Sequence, residues 1–182
     1  MRINEDFFEA RASKVAPKLI GLKLCSCDGC EALITEVEAY EGKNDSASHA
    51  YKITPRSKIM LDTYAHWYVY FVYGNHYCLN ITCGEKEAGA CLIREAIPLK
   101  GIEVMQRRRQ AKSIKELCNG PGKLCEAFLI NKTFNGTKLG EKLWLKKPTK
   151  KELTLLDKFS LNILPRIGIT SAKTKKWRFK LS

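Results

Sequence analysis

The 182-residue sequence lacks an apolar run long enough to cross a membrane, and its first thirty residues lack the apolar segment of a signal peptide. It also has no internal repeat, no low-complexity tract and no linker rich in proline, glycine or serine. We therefore expect one soluble, monomeric domain over residues 1–182, without membrane contact. Such a protein would be cytoplasmic in a bacterium and nuclear in a eukaryote.

Metal-binding and phosphate-binding motifs are also absent. Cys25, Cys27 and Cys30 in "CSCDGC" are spaced C-x-C and C-x-x-C, and no second Cys or His pair follows at zinc-site spacing. Residues 28–29, "DG", lie between two apolar runs and instead predict a tight hairpin turn with positive φ at both central positions. "GPGK" at 120–123 lacks the four-residue gap between the glycines of a phosphate-binding P-loop. We expect no metal and no cofactor.

Acidic residues are scarce in the second half of the chain. The sequence has 32 Lys and Arg against 19 Asp and Glu, for a net charge of +13. Residues 1–99 contain 11 basic and 13 acidic side chains, whereas residues 100–182 contain 21 and 6. This distribution predicts that the second half of the chain is attracted to a phosphate backbone and the first half is not.

The hydrophobic pattern predicts an α+β fold with a mostly antiparallel sheet, packed helices and a protruding β-hairpin. A helical stretch at 7–20 precedes a hairpin that continues through "LITEVEAY". A second hairpin spans 66–83 with Gly74-Asn75 as its turn, and a strand follows that ends near Pro98.

The pattern changes to a helical period after Gly101. One helix is predicted to run from there to a stop at Asn119-Gly120. A second helix begins at "GPGK", with Leu124 and Phe128 on one face. A short strand at 161–170 and a basic, aromatic tail complete the predicted elements.

The stretch "EVEAY" contains two carboxylates two residues apart. Side chains alternate along a strand, so these acids share a face and the intervening residues form the other face. Spacing alone favours an ordinary solvated face over an apolar one. The predicted acidic face carries Glu36, Glu38 and Tyr40, and the predicted apolar face carries Leu33, Thr35, Val37 and Ala39.

The second hairpin has bulky side chains on both faces. Trp67, Val69, Phe71 and Tyr73 alternate with Tyr68, Tyr70 and Val72. Tyr73 lies beside the turn, where little core is available. Its ring either packs locally against the turn or acts as a wedge that enters a base stack, as apolar side chains of some DNA-binding proteins do.

Several long motifs occur together and in order. They are "EVEAYEGKNDSASHA", "TPR", "WYVYFVYGNHYCLN", "LIREA", "CNGPGKLCEAFLINKTF" and "RIGI". From about Asp6 to the tail, the sequence resembles the alkyladenine (3-methyladenine) DNA glycosylases of the single-domain vertebrate and bacterial type. The resemblance implies a fold like the C-terminal domain of methionyl-tRNA formyltransferase. It also implies base flipping, hydrolysis of the N-glycosidic bond and double-stranded DNA with damaged purines as the partner.

The resemblance assigns catalytic roles to two residues and DNA intercalation to a third. Glu38 matches the carboxylate that takes a proton from the water attacking C1′ of the flipped nucleotide. Arg94 matches an arginine that helps to hold this water, although an ion pair with Glu95 or Asp62 would also explain it. Tyr73 matches the tyrosine that intercalates into DNA.

The resemblance also implies a pocket for the flipped base. Tyr40, His49 and Tyr70 match residues that stack on the base, and aromatic faces would attract a purine made cationic by alkylation. Asn80 matches a residue at the floor of the pocket that discriminates against the amine of guanine. Ile169 matches a backbone contact near the water; without that role it would be ordinary strand core.

Three cations are candidates for contacts with the DNA backbone. They are Arg56 in "TPR", Lys123 in "GPGK" and Arg178 in the tail, and each could also be ordinary solvated surface. The matched pocket motifs contain no lysine suited to form a Schiff base, so we expect a monofunctional glycosylase that leaves an abasic site. The alternative is a non-catalytic nucleic-acid-binding module of the same fold. The sequence contains no phosphate-binding loop that would support a further hypothesis, an enzyme that acts on a small phosphorylated substrate.

Overall fold

One eleven-residue strand, Glu31–Glu41, organises the sheet of this protein. The computed structural model describes residues 1–182. The helices are α1 Ala12–Leu19, α2 Ile59–Asp62, α3 Ile102–Arg109, α4 Pro121–Ala127 and α5 Lys150–Leu153, with 3₁₀ turns at Glu5–Phe8, Ile114–Glu116 and Lys132–Phe134. The strands are β1 Lys23–Ser26, β2 Glu31–Glu41, β3 Trp67–Val72, β4 His76–Thr82, β5 Gly89–Lys100, β6 Leu143–Lys146, β7 Leu161–Leu164 and β8 Arg178–Leu181.

All eight strands form a single antiparallel sheet. The strands are ordered β3-β4-β5-β2-β1-β6, and β8 pairs with both β2 and β7. Residues 31–33 of β2 pair with β1. Residues 36–38 of β2 pair with β8, from Glu36 opposite Lys180 to Glu38 opposite Arg178. The predicted α+β class, the antiparallel sheet and the first hairpin are therefore confirmed. The likeness to the formyltransferase C-terminal domain stays a prediction.

A bulge in β2 changes which side chains face the core. Thr35 has no partner on β5, because Ile34 is opposite Ala96 and Glu36 is opposite Glu95. A bulge adds one residue to one strand and shifts the alternation of the side chains beyond it. The main core accordingly takes Ala32, Ile34, Val37 and Ala39 but not Leu33 or Thr35. The predicted apolar face was wrong on the N-terminal side of Glu36.

The two faces of the sheet are covered unequally. The main core lies where α1 packs on β2 and β5 and where α4 packs on β4 and β5. A smaller cluster around Met60 and Tyr68 lies under α2, and Tyr40 and Tyr70 pack against this cluster. The predicted alternation in β3 is confirmed, since Trp67 joins the main core and Tyr68 joins the smaller cluster.

The turn between β1 and β2 differs from the prediction. The N–H of Gly29 donates to the carbonyl of Ser26, and the N–H of Ser26 donates to the carbonyl of Cys30. Gly29 has φ of 85° and is the only residue of this turn with positive φ. The loop thus has three residues, 27–29, with glycine at the left-handed position, instead of the two-residue turn that the sequence indicated.

The tip of the second hairpin also differs from the prediction. Val72 is paired with His76, so Tyr73 lies in the turn and not at the end of a strand. Tyr73 has φ of 54° and Gly74 has φ of 74°, which makes these two residues the centre of the turn. A left-handed conformation is unfavourable for tyrosine, because its Cβ crowds the backbone.

Other predicted boundaries also need correction, and one strand was not predicted. Helix α3 ends at Arg109, since Gln110 has φ of 48° and leaves the helical path, so Asn119-Gly120 is not its stop. Strand β5 continues through Pro98, which is opposite Ala32, and ends at Lys100. Strand β6 was not predicted, because its pairing with β1 is set by tertiary contact. No helix of the structure combines the length and the hydrophobicity needed to cross a bilayer.

A buried ion pair fixes the loop between β2 and α2. Asp45 in this loop and Arg166 after β7 are both fully buried, and each carboxylate oxygen accepts a guanidinium N–H at 2.6 Å. Arg166 also donates to the carbonyl of Ala39 at 2.9 Å. This pair therefore ties the loop and the segment after β7 to β2, next to Tyr40.

Substitution of Asp45 by Asn should destabilise the protein by about 3–5 kcal/mol, because Arg166 would be left as a buried charge without its counter-ion. Urea unfolding followed by circular dichroism measures the difference. Lys58→Met is the control, because it removes an exposed ion pair with Asp62 and should cost less than about 0.5 kcal/mol. A loss below about 1 kcal/mol in the Asn variant would show that the buried pair is not a main support of the loop.

Candidate active site

A cavity of about 820 Å³ opens beside the second hairpin. Its walls come from the face of β2 that carries Tyr40, the loop 42–58, strands β3 to β5, the start of α4 and the segment after β7. Nine of the eleven predicted site residues line it, and Glu38 and Arg178 do not. The nine are Tyr40, His49, Arg56, Tyr70, Tyr73, Asn80, Arg94, Lys123 and Ile169.

Glu38 lies just behind the cavity wall. Its side chain is 0% exposed. Oε1 accepts the backbone N–H of Ile167 at 2.7 Å, and Oε2 accepts the hydroxyl of Tyr40 at 2.8 Å and Nη1 of Arg94 at 3.2 Å. The residues that hold this carboxylate are themselves part of the wall, so Glu38 lies directly behind it.

Arg94 occupies a bulge on β5. Glu95 is opposite Glu36 and Ile93 is opposite Val37, so Arg94 has no partner on β2. Its Nε donates to Glu36 at 2.9 Å while Nη1 donates to Glu38. Burial alone would lower the pKa of Arg94, but the charges of Glu38 and Glu36 outweigh it and raise this pKa. The guanidinium is thus a fixed cation between two carboxylates.

The alternative ion pairs that the sequence left open for Arg94 are not formed. Glu95 pairs with Lys180 at 2.6 Å, and Asp62 pairs with Lys58. Arg94 therefore belongs to the site of Glu38.

Glu36 is the centre of an ionic cluster. Its carboxylate accepts hydrogen bonds from Arg94, from Lys180 at 3.0 Å and from Arg178 at 3.3 Å. Burial raises the pKa of Glu36, but the hydrogen bond from Lys180 and the charge of Arg94 outweigh this and lower it. Arg178 also donates to the carbonyl of Pro165 at 2.8 Å. A phosphate bound by Arg178 would therefore have to share its guanidinium with Glu36 and Pro165. That contact stays a prediction.

Three aromatic residues and a histidine form the inner wall. The ring of His49 is 4.7 Å from that of Tyr70 in an edge-to-face arrangement, and its Nδ1 is 2.9 Å from the hydroxyl of Tyr68. Burial and the charge of Arg56 lower the pKa of His49, so this imidazole is neutral at neutral pH. Burial, reinforced by the charge of Glu38, raises the pKa of Tyr40 and keeps its hydroxyl protonated.

Arg56 is placed differently from a simple contact with the DNA backbone. Its guanidinium carbon lies 4.8 Å from the ring centroid of Tyr70, within reach of a cation–π interaction. Arg56 is exposed to solvent but reaches the aromatic wall from the loop 42–58. A cation therefore already covers one face of a ring that was predicted to stack on the base.

Asn80 lines the cavity and also has the hydrogen-bond partners of a structural Asn. It is buried, and its amide nitrogen donates to the carbonyls of Tyr68 at 3.0 Å and Cys78 at 3.4 Å. These bonds anchor the side chain to the strand pair, as a structural Asn requires. The amide oxygen is the polar atom left to meet a group in the cavity.

The mouth of the cavity is formed by the hairpin tip and α4. Tyr73 is 85% exposed. A Cβ added to Gly122 would lie 2.9 Å from the ring of His76, so α4 approaches the hairpin too closely for any other residue at this position. Lys123 donates to the side chain of Asn119 at 2.9 Å at the same edge. The wedge candidate thus rests on a supported hairpin.

The sequence motifs did not identify the backbone donor to Glu38. "RIGI" indicated the right segment, yet the N–H that binds Glu38 belongs to Ile167, and Ile169 only lines the cavity. Arg166 and Asp45 were also missed. A buried pair separated by 121 residues leaves no local pattern in the sequence.

Metal ligands are not gathered anywhere in this structure. No group of three or more His, Cys, Asp or Glu side chains is placed to hold a metal ion. Cys25 and Cys30 are buried on either side of the first hairpin turn, and Cys27 is exposed within it.

Comparison with known proteins supports the resemblance seen in the motifs. Residues 6–182 match the family model described as methylpurine-DNA glycosylase (MPG). The chain is 39% identical over 178 residues to a Granulibacter bethesdensis protein named "Putative 3-methyladenine DNA glycosylase", covering 97% of this chain and 82% of that protein. It is 36% identical to a Chlorobaculum parvum protein of the same name, covering 97% and 86%.

These matches extend over nearly the whole chain, including the hairpin, the carboxylate strand and the tail that closes the cluster around Glu36. The chain belongs to the methylpurine-DNA glycosylase family and is a DNA glycosylase, a hydrolase of N-glycosyl bonds.

Proposed function

We propose that this protein flips an alkylated or otherwise damaged purine of the 3-methyladenine type out of duplex DNA and hydrolyses its N-glycosidic bond, leaving an abasic site. The observation that carries the proposal is the buried carboxylate of Glu38, held by three donors at the wall of a cavity of about 820 Å³. Cavities of this size accommodate a purine nucleoside. The names of the relatives agree with this substrate class.

Glu38 is suited to act as a general base. Oε2 accepts two hydrogen bonds and Oε1 accepts one, so Oε1 retains a lone pair for the attacking water. Donors to both oxygens fix the orientation of this carboxylate, which would take the proton of this water as a general base. The same negative charge stabilises the cationic sugar that develops as the bond to the base breaks.

Tyr73 is suited to fill the gap left by the flipped nucleotide. Extrusion costs a few kcal/mol of stacking and pairing, and a wedge offsets part of it. Tyr73 lies in the left-handed turn at the hairpin tip, and its ring is exposed at the edge of the cavity. Lys123 lies on the same edge as a candidate for phosphate contact.

A non-catalytic binding module is less well supported. Such a module would stack bases and bind phosphates, but it has no use for a carboxylate that is fully buried and held by an arginine on a bulge. Burial of that carboxylate is costly, and stacking or phosphate contact gains nothing from it.

Glu38→Gln should reduce base release by at least about 100-fold, because an amide cannot accept the proton of the water. The measurement is single-turnover release from a duplex containing one hypoxanthine, ethenoadenine or 3-methyladenine, with alkali used to reveal abasic sites. Binding of the same duplex should persist, which shows that the variant is folded. Wild-type release in this variant would remove Glu38 from the mechanism.

Tyr73→Ala should weaken binding of lesion-containing duplex by about tenfold and leave binding of a lesion in single-stranded DNA nearly unchanged, since a single strand needs no wedge. Fluorescence anisotropy with both DNAs measures the two affinities. Tyr51→Ala, which truncates an exposed tyrosine outside the hairpin tip, is the matched control. Equal losses on both DNAs would contradict a wedge.

The enzyme should leave the DNA backbone intact. Lys123 is the one lysine of the cavity wall, and its Nζ is bound to Asn119 at the mouth instead of lying near Glu38. We therefore expect no strand cleavage without alkali and no covalent DNA adduct after borohydride reduction. An adduct that disappears in Lys123→Gln would show a bifunctional enzyme.

A further inference from the structure

The charges on the cavity wall are all of one sign. Four cationic side chains line the cavity and no aspartate or glutamate does. Glu38 lies behind this wall and accepts hydrogen bonds from three donors. A base that enters the cavity therefore meets cations first. The four are Arg56, Arg94, Arg109 and Lys123.

Arg56 is the cation that reaches the aromatic wall. Arg94 is paired with Glu36 and Glu38, and Arg109 is paired with Glu126. Arg56 has no carboxylate partner, and its guanidinium is 4.8 Å from the ring centroid of Tyr70. Insertion of a flat base between this guanidinium and the ring would need about 7 Å, since each stacked contact takes roughly 3.5 Å. A base on this face of Tyr70 must displace Arg56, and the displaced guanidinium would then be in contact with the base.

The aromatic faces are also less available to a cationic base than the sequence suggested. Arg56 covers one face of Tyr70, and Arg166 lies 4.6 Å from the ring centroid of Tyr40. Each ring thus already has a cation–π partner. His49 is neutral and adds no negative charge.

We propose that Arg56 is a specificity-determining residue that biases the enzyme toward neutral damaged purines, such as deaminated or etheno bases, relative to purines made cationic by alkylation. This inference rests on the glycosylase function proposed above. A cationic purine is repelled by Arg56 as it enters, whereas a neutral purine is not.

Arg56 also helps the reaction of a neutral base. When the C1′–N9 bond breaks, its electron pair goes to the purine, the oxygen of water bonds to C1′, and the proton of that water goes to Glu38. A neutral purine leaves with a negative charge, which Arg56 stabilises until the purine takes a proton from solvent. A cationic purine leaves neutral and gains nothing from Arg56. Both effects favour the neutral lesion.

The experiment compares single-turnover release of hypoxanthine, a neutral base, with that of N7-methylguanine, a cationic base, from otherwise identical duplexes. Arg56→Gln should reduce the ratio of the two rates by about tenfold, because it removes the charge that distinguishes the substrates. Arg56→Lys keeps the charge and should keep at least half of the wild-type ratio. The ratio is insensitive to partial unfolding, since both substrates are tested on the same preparation.

Lys123→Gln is the matched control. It removes one positive charge from the mouth of the same cavity, and it should slow both reactions to a similar extent through weaker phosphate binding. An unchanged ratio in Arg56→Gln would overturn the inference, and so would a fall in Arg56→Lys equal to that in Arg56→Gln. If the wild type released neither base, the proposed function would fail as well, which distinguishes the two failures.

Discussion

The site depends on the burial of two neighbouring carboxylates beside a single arginine. Glu36 and Glu38 point the same way from β2, and like charges this close would repel each other strongly away from water. Arg94 lies between them because a bulge on β5 frees it from the strand ladder. Strand β8 adds Lys180 opposite Glu36 and Arg178 opposite Glu38. The cluster can therefore be buried only when β2, β5 and β8 are joined.

The division of charge along the chain follows from this arrangement. The N-terminal half supplies the carboxylates, the aromatic wall and Arg94, and the C-terminal half supplies further cations that compensate or surround them. Some of these cations are thus occupied inside the protein and are unavailable to DNA. Arg178 pairs with Glu36, and Arg166 pairs with Asp45. The number of basic residues alone therefore overstates the cations that are available to a phosphate backbone.

The sequence predicted those parts of the site that depend on local pattern or on long motifs. Alternation in β3 correctly placed Trp67 and Tyr68 on opposite faces, and the motifs brought nine predicted residues to one cavity. Bulges were not predictable, because an extra residue in a strand is decided by its partner. The N–H of Ile167 was missed for a related reason. A backbone donor has no residue type, and only the path of the chain after β7 brings it to Glu38.

The contact between Ile167 and Glu38 joins residues 129 positions apart. Closing so large a loop is entropically costly, so the segment after β7 keeps its place only where its contacts offset that cost. This segment supplies the backbone donor of Glu38, and β8, which follows it, supplies two of the cations around Glu36. Removal of water from the two acids and delivery of their hydrogen-bond partners therefore depend on the same part of the chain.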